Sequence, residues 1–346
     1  MKGKVQALIK PIGIPRLIIV AFLGLLYVAA FFCKLPVNDL LNGHLVRVGM
    51  NGILVLAMVP AILSGIGPNF GIPVGIVCGL IGGLISIELD CYGANAFIVA
   101  ALISIPLATV AGYLYGVLLN KVKGSEMMVG TYVGFSVVSL MCIAWLILPF
   151  TSMEIKWPIG RGLRTTISLA KRFDKILNAP FAIHIGKITI PTMLFVFFFA
   201  MCFVVWLFLN SKAGIAMKAV GQNSKFAIAS GMNVDQNRMV STILSTVLGA
   251  IGILVYAQSY GFFQLYTAPL MMAFAAVAAI LIGGASSTNA TIFHVILGTF
   301  LFQGLLVVAL PVANVIVPKG NLSEVMRVVV QYGIILYALT KAGGGK

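Results

Sequence analysis

The sequence has little charge. Only 9% of its 346 residues are Asp, Glu, Lys or Arg, whereas a soluble globular domain has roughly 25%. Hydrophobic residues make up 60% of the chain, and the mean hydropathy is +1.09. Such a chain could not cover a water-facing surface with polar side chains, so most of its surface must face lipid. The composition excludes a soluble protein and predicts an all-α, polytopic membrane protein, with one transmembrane domain over residues 1–346.

Acidic residues are especially scarce, with 8 Asp and Glu against 23 Lys and Arg. In a soluble protein the resulting net charge of +15 would suggest a nucleic-acid partner. Here the basic residues lie between apolar runs, where loops that face the cytoplasm and anionic lipid carry them. The charge therefore indicates a lipid bilayer as partner and no nucleic acid.

The sequence also lacks the motifs of catalysis and metal binding. The phosphate-binding pattern G-x-x-x-x-G-K-[ST] is absent, and the terminal KAGGGK has neither its spacing nor a preceding strand. The three histidines are widely separated, and no pair among the five cysteines has metal-ligand or redox spacing. We therefore predict no catalytic residue, no metal site and no cofactor, so that any ATP hydrolysis would occur on a separate subunit.

Long apolar runs are what the chain does have. A helix needs about 20 apolar residues to cross the hydrocarbon, and ten runs meet this standard. They are 17–34, 46–64, 70–89, 94–119, 127–149, 188–209, 239–258, 270–285, 291–311 and 324–340. If both termini are cytoplasmic, most basic residues of the short loops lie inside, as the positive-inside rule requires. About ten transmembrane helices with both termini cytoplasmic is the predicted topology.

In this topology, segment 150–187 is the one substantial external feature. Leu163, Ile167, Ala170 and Leu177 fall near one helical face, and basic residues occupy much of the rest. This pattern is typical of an amphipathic helix in the membrane interface. The segment would anchor the protein to lipid or dock an acidic external partner through Arg161, Arg164, Arg172 and Lys175.

Residues 210–238 would form the longest cytoplasmic loop between spans. We predict two short helices with a bend near Gly221, a cap on the second helix from Asn223 or Ser224, and a left-handed end at Gly231. Asp235 would cap the next span. Phe226 is one large side chain among small ones, which suits insertion into a groove of a partner. An ordinary loop that covers helix ends is the alternative.

Two polar, glycine-containing stretches interrupt the apolar pattern, LSGIGPNFGIPVG and VYAQSYGFFQLY. Such breaks in corresponding halves of a chain point to a translocation path. Uncharged hydrogen-bonding groups and aromatic rings would line a path for a neutral, hydroxyl-rich solute. The candidates are Asn51, Ser64, Asn69, Phe70, Tyr256, Gln258, Ser259, Tyr260, Gln264, Gln303 and Asn314. For each of them, hydrogen bonding between helices is the alternative role.

The stretch AVGQNSKFAIASGMNV resembles the cytoplasmic coupling loop of ABC-transporter permeases of the ribose-type, branched-chain-related family. The residues that match the pattern are Ala219, Val220, Gly221, Asn223, Ala227, Gly231 and Val234, while Phe226 and Met232 depart from it mildly. Two further stretches are similar to this family. AAVAAILIGGASSTNATIFHVILGTFL resembles its later apolar run without the usual glycines, and GVLLNKVKGSEMMVGTY resembles its nucleoside-transporting branch.

The resemblance implies the permease subunit of an ATP-driven importer in the bacterial inner membrane. It implies two ATPase subunits, a second permease subunit, identical or not, and an external solute-binding protein that delivers a simple sugar or nucleoside. Ala219, Val220, Gly221, Asn223, Phe226, Ala227 and Gly231 would then couple to the ATPase. The alternative is a self-contained channel or secondary transporter for a small neutral solute. An ion-coupled carrier places ionisable residues within its spans, whereas the predicted span centres here are essentially uncharged, so the sequence favours the importer.

Overall fold

Nine apolar helices in the computed structural model lie where the sequence predicts membrane spans. The structure describes residues 14–158, 162–266, 268–316 and Gly333. Six of these helices are long and apolar enough to cross a membrane, and three are shorter. The described part of the chain is thus mostly helical, as predicted. The tenth predicted span, 324–340, and both chain termini lie outside the described residues apart from Gly333, so the ten-span topology and its orientation remain predictions.

The helices follow one another with short connections. They are α1 (Ile14–Phe32), α2 (Val37–Leu56), α3 (Met58–Leu63), α4 (Pro73–Glu88), α5 (Gly93–Lys121), α6 (Glu126–Ile147), α7 (Thr192–Asn210), α8 (Lys212–Gln222), α9 (Ser224–Ala229), α10 (Val234–Tyr260), α11 (Ala268–Gly283) and α12 (Ile292–Ile316). Four short strands complete the described elements: β1 (Thr166–Ser168), β2 (Ile183–Ile185), β3 (Ile188–Ile190) and β4 (Phe262–Gln264).

Two groups of three spans each show the same series of a long, a short and a long span. Residues 37–63 form a long span from α2 and α3, followed by the 16-residue α4 and the long α5. The long α10, the 16-residue α11 and the long α12 repeat this order. The groups interlock, because α5 packs on α10 and α12 packs on α2. The two polar breaks noted in the sequence are the links that precede the two short helices.

The core lies around α4, whose residues are nearly all buried. Its glycines allow this helix to approach α10 closely. A Cβ on Gly75 would overlap the carbonyl oxygen of Thr246, and one on Gly79 would overlap that of Ala250. The small residues of this predicted span therefore serve helix packing rather than lipid contact, as the sequence indicates.

Segment 150–187 is not an amphipathic helix, so that prediction is wrong. Within its described residues it forms turns and two short strands. Strand β1 pairs antiparallel with β4, so that Ile167 lies opposite Phe263, and both are fully buried. The apolar side chains that suggested one face of a helix instead cover the ends of the spans. The buried Phe173 ring also packs on Phe263, at 5.7 Å between ring centroids.

Candidate functional site

The two water-facing features predicted from the sequence lie at opposite ends of the molecule. Helix α7 joins segment 150–187 to loop 210–238, and its 19 residues span about 28 Å at 1.5 Å per residue. The link 64–72 lies at the loop end, where Gly65 contacts Gly221. The link after α10, described over 261–266, lies at the segment end, where β4 pairs with β1. The two helix groups therefore have their breaks at opposite ends.

Loop 210–238 contains the two predicted short helices, α8 and α9. Asn223 caps α9, since its side chain accepts a hydrogen bond from the Phe226 N–H at 3.0 Å. Gly231 follows with a φ of +76°, the predicted left-handed end. Asp235 does not cap α10, so that prediction is wrong. Asn233 provides the cap by accepting from the Gln236 N–H at 3.0 Å.

One face of the loop packs inward. Val220 and Ala227 are buried, together with Met217. Gly221 lies against the end of α3, where a Cβ would overlap the Leu63 carbonyl oxygen and lie 2.8 Å from the Gly65 nitrogen. Of the residues expected to touch an ATPase, Val220, Gly221 and Ala227 therefore hold the loop on the membrane domain.

Three large apolar side chains of the loop are exposed. Phe226 is 61% exposed, Ile228 is 64% exposed and Ile215 is 58% exposed. We call these three residues the loop knob. The sequence analysis identified Phe226 alone. The signal for the others was available, because 215 and 228 are large apolar positions that fall off the buried face defined by 217, 220 and 227.

Ionic contacts tie the beginning of α10 to the turn between α5 and α6. Arg238 pairs with Glu126, and both side chains are about 90% buried. Arg238 also donates to Asn120 Oδ1 at 3.2 Å, and Lys123 pairs with Asp235 at the surface. This network is not predicted from the sequence. Its one signal there is the stretch KVKGSE, at residues 121–126, which ends in Glu126.

A cavity of about 330 Å³ lies between this network and the loop. We call it the loop-side cavity, and its lining includes Ser64, Gly65, Gly221, Asn223 and Arg238. Its lining joins residues of α8 and α9 to residues of link 64–72 and α10, so the cavity lies between the loop and the membrane domain.

Two predicted path residues bridge helices at this end. Ser64 accepts a hydrogen bond from Ser241 on α10 at 2.7 Å. Asn69 donates to Ser245 at 2.8 Å and accepts from the Tyr115 hydroxyl at 3.0 Å. Ser64 and Asn69 are both buried. They therefore connect link 64–72 to α10 and α5, which is the alternative role left open by the sequence.

A second cavity, of about 390 Å³, lies at the segment end. We call it the segment-side cavity. Its lining includes Asn42 and Arg47 from α2, Lys175 and Asn178 from the segment, and Ser259 and Tyr260 from α10. Of the predicted path residues, Asn51 lies one turn after Arg47 and donates to its carbonyl oxygen at 2.9 Å. The Tyr256 ring packs at a tilt against the Tyr260 ring, with 5.3 Å between ring centroids.

Gln258 does not line this cavity but holds one of its walls. It is fully buried. Its carbonyl oxygen accepts from the Lys175 N–H at 2.8 Å, and its Oε1 accepts from the Leu177 N–H at 3.1 Å. Lys175 has a φ of +53°, and these bonds fix its turn. Gln258 is thus a positioning residue for Lys175.

The remaining predicted path residues lie elsewhere. Phe70 is buried and packs on Phe274, at 5.9 Å between centroids. Gln303 is buried on α12 and lines neither of the two cavities. Gln264 lies in β4 opposite Thr166, and Asn314 is exposed near the end of α12. The eleven residues proposed for a path are therefore spread over several parts of the described chain.

Of the four basic residues proposed for docking, the three that the structure describes do not form one exposed cluster. Arg161 lies outside the described residues. Arg164 donates to the carbonyl oxygens of Lys156 and Met153 at 2.8 and 3.2 Å. Lys175 lines the segment-side cavity.

Arg172 is the clearest departure, because its side chain is only 3% exposed. It pairs with Glu154 at 2.9 Å and Asp90 at 2.8 Å, and lies 4.3 Å from the centre of the Tyr92 ring. Hydrogen bonding to Glu154, and then to Asp90, raises the pKa of Arg172 above its ordinary value, so it stays charged. The residue fastens the segment to the α4–α5 connection and is not a free surface charge.

Comparison with known proteins decides the family. Residues 40–339 match the family described as "Branched-chain amino acid transport system / permease component". The chain belongs to this family. The match includes all of loop 210–238 and both cavities, so the branched-chain-related resemblance of the loop signature is confirmed. The protein is a multi-pass membrane permease component, and such a component is a transport subunit rather than a catalyst.

Three curated relatives are 25% identical to the chain over 258 residues. Each is named autoinducer 2 import system permease protein LsrC, and they come from Yersinia pseudotuberculosis serotypes O:3 (strain YPIII), IB (strain PB1/+) and I (strain IP32953). The matched region covers 72% of this chain and 64% of the relatives' length. No solved structure matches the chain.

Proposed function

We propose that this permease is the membrane subunit of an ATP-driven ABC importer for a simple sugar or nucleoside in the bacterial inner membrane. The loop knob carries this proposal. Three large apolar side chains stand exposed on one loop, and large apolar side chains that are exposed close together in sequence are candidates for protein contact. The family membership and the import-system relatives support the same assignment.

In this proposal an ATPase subunit receives the loop knob in a groove. The inward residues Val220, Gly221 and Ala227 hold α8 and α9 rigidly on the membrane domain, so movement of the ATPase would be transmitted to the spans. The buried Arg238–Glu126 pair extends this connection to α6. Ala219, Asn223 and Gly231 shape the loop.

The wider assembly follows from the same proposal. The chain would have ten spans with both termini in the cytoplasm, would pair with a second permease subunit, and would receive its solute from an external binding protein. Docking of that protein would involve segment 150–187 through Arg161, Arg164 and Lys175, while Arg172 acts through the fold of the segment. Asn51 and Tyr256 beside the segment-side cavity would belong to the translocation path.

The test is co-purification of ATPase subunits with the tagged permease. Phe226→Asp with Ile228→Asp places two charges where a dry contact is proposed, and a desolvated unpaired charge is strongly unfavourable. We expect the variant to express and to lose its ATPase. The matched control is Phe181→Asp, which changes an 83% exposed phenylalanine at the segment end. ATPase retained by the double variant, or lost equally in the control, would contradict the proposal.

A further inference from the structure

Arg47 is an arginine inside a membrane helix, and no residue that the structure describes forms an ion pair with it. The sequence predicted a span beginning near residue 46, which placed this residue at a helix end. In the structure α2 begins at Val37, so Arg47 lies about 15 Å along the helix axis at 1.5 Å per residue. Ionisable residues within spans are rare and pair with something, and they mark solute or ion pathways.

No described residue neutralises this guanidinium. Arg47 makes no side-chain hydrogen bond or ion pair within the described chain, and interacts electrostatically only with Tyr256. The two buried arginines, Arg172 and Arg238, each have carboxylate partners, whereas Arg47 is exposed. Arg47 instead lines the segment-side cavity.

A second cation lines the same cavity. Lys175 comes from segment 150–187 and is held in its left-handed conformation through the backbone bond to Gln258. Asp174 precedes it but lies against Gly261 instead of lining the cavity. Among the described residues that line this space, none is acidic.

The rest of the lining is part apolar and part polar. Gly43, Val46, Met50 and Pro191 supply the apolar part, and the amides of Asn42 and Asn178 with the hydroxyls of Ser259 and Tyr260 supply neutral hydrogen-bonding groups. Asn42 also anchors the β2–β3 hairpin, because it donates to the Lys187 carbonyl oxygen at 3.1 Å and accepts from the Thr189 N–H at 2.8 Å. Hydrogen bonds to Asn42 and to Gln258 thus hold two parts of the cavity wall in place.

We propose that the segment-side cavity binds an anionic oxygen group, a phosphate or a carboxylate, on the solute that the permease carries. Arg47 provides a planar donor set that suits such a group, and Lys175 adds a point charge. This inference deepens the proposed function and rests on it for its role in transport. It replaces the expectation of a wholly neutral solute with a charged one, and it makes Arg47 the residue that determines specificity.

Charge-selective labelling tests the cavity without knowledge of the solute. In a chain whose five native cysteines are replaced, Val46→Cys places a thiol in the cavity lining beside Arg47. The thiol is reacted with two methanethiosulfonate reagents, one that carries an anionic sulfonate and one that carries a cationic trimethylammonium group. The rate for each reagent is divided by the rate of the same reagent with a free thiol. Focused positive charge should raise the ratio of the anionic to the cationic labelling rate at Val46→Cys. This ratio should be about tenfold higher than the same ratio at Phe181→Cys, the exposed control. Thr189→Cys repeats the measurement if Val46→Cys does not fold.

Adding Arg47→Gln should remove most of this preference, and adding Lys175→Gln should remove a smaller part. The proposal is overturned if the anionic reagent has no advantage, or if its advantage survives Arg47→Gln. The permease is used without ATPase subunits, so this result stands apart from the co-purification test of the proposed function.

Protection of the Val46→Cys thiol from labelling shows whether the bound anionic group belongs to a solute or to a lipid headgroup. In phosphatidylcholine vesicles, ribose 5-phosphate should slow labelling of Val46→Cys, and ribose at the same concentration should not. Equal protection by the two sugars would restore the neutral-solute expectation and overturn the proposal. A lipid headgroup occupies the site if labelling is slow in phosphatidylglycerol vesicles and ribose 5-phosphate gives no protection in phosphatidylcholine vesicles. That result would overturn the solute role.

Discussion

Arg238 and Arg47 occupy equivalent helices of the two groups but opposite electrostatic situations. Arg238, at the loop end of α10, is buried and paired with Glu126. Arg47, on α2 towards the segment end, has no ionic partner among the described residues and lines a cavity. An arginine whose charge is satisfied within the chain stabilises a fixed contact, whereas one whose charge is unsatisfied is available to a ligand.

The two ends resemble each other in their cavities and differ in how the charge of the arginine is satisfied. The cavities have similar volumes, about 330 Å³ at the loop end and about 390 Å³ at the segment end, and each is lined by two cations and neutral polar groups. Arg238 is paired with Glu126 inside the chain, whereas Arg47 has no ionic partner among the described residues. We therefore assign the protein partner to the loop end, on the exposed loop knob, and the solute to the segment end, on the charge of Arg47.

The largest expected effect is loss of the buried pair at the loop end. Glu126→Ala should leave the Arg238 charge unpaired, and breaking a buried pair costs about 3–5 kcal/mol. We expect a clear drop in the thermal stability of the purified permease, measured by size-exclusion chromatography after heating. Lys123→Ala is the control, because its pair with Asp235 is exposed and such a pair contributes about 0–1 kcal/mol. Equal losses in the two variants would remove the distinction between buried and surface pairs at this end.

A smaller destabilisation is expected at Gly221. Gly221→Ala adds a methyl group that overlaps the Leu63 carbonyl oxygen, and overpacking of this kind costs about 1–3 kcal/mol. The melting temperature in detergent should fall, in contrast to Gly24→Ala, where a Cβ meets no atom within 4 Å. A Gly221→Ala variant as stable as Gly24→Ala would show that the loop does not rest on α3.

At the segment end, Gln258→Leu should act locally. It removes the Oε1 acceptor of the Leu177 N–H, and an unsatisfied buried donor costs about 1–3 kcal/mol. The turn at Lys175 should become more mobile, with faster amide hydrogen exchange at 175–178 than in the unchanged protein. Exchange around loop 210–238 should stay the same and serves as the internal control. Uniformly faster exchange would mean that Gln258 supports the whole fold.

The smallest effect on stability is expected for Arg47→Gln. Since this guanidinium has no hydrogen bond or ion pair to lose within the described chain, the change in stability should stay within about 0.5 kcal/mol. Solute uptake should nevertheless fall, because the charge is proposed to bind solute. A melting temperature lowered as far as in Glu126→Ala would show that Arg47 has a structural role. The contrast between Arg47 and Arg238 would then no longer support a solute site.

The spans could be predicted because lipid imposes a simple rule on sequence. Apolar runs of sufficient length gave nine of the described helices, and the caps at Asn223 and Gly231 followed from local residue preferences. The start of α2 could not be found in this way, because its first turns, VNDLLNGHLVR, are polar. That error placed Arg47 at a helix end and concealed its significance.

The segment at the other end could not be predicted, because its structure depends on distant partners. Arg172 looks like a free surface charge in sequence, yet its partners Glu154 and Asp90 lie 18 and 82 positions away. The pairing of β1 with β4 joins residues nearly a hundred positions apart. Local periodicity carries no information about such contacts, and here the basic residues between apolar ones imitated an amphipathic helix.

The central claim is that energy enters at the loop end and solute at the segment end, and ATP-driven uptake tests it most directly. The permease is reconstituted in vesicles with its ATPase subunits and binding protein, and uptake of labelled pentoses, hexoses, nucleosides and their phosphate esters is measured with and without ATP. We predict uptake that requires both ATP and the loop knob, so that Phe226→Asp with Ile228→Asp abolishes it. Uptake that continues without ATP or ATPase subunits would contradict the account and indicate a self-contained channel or carrier.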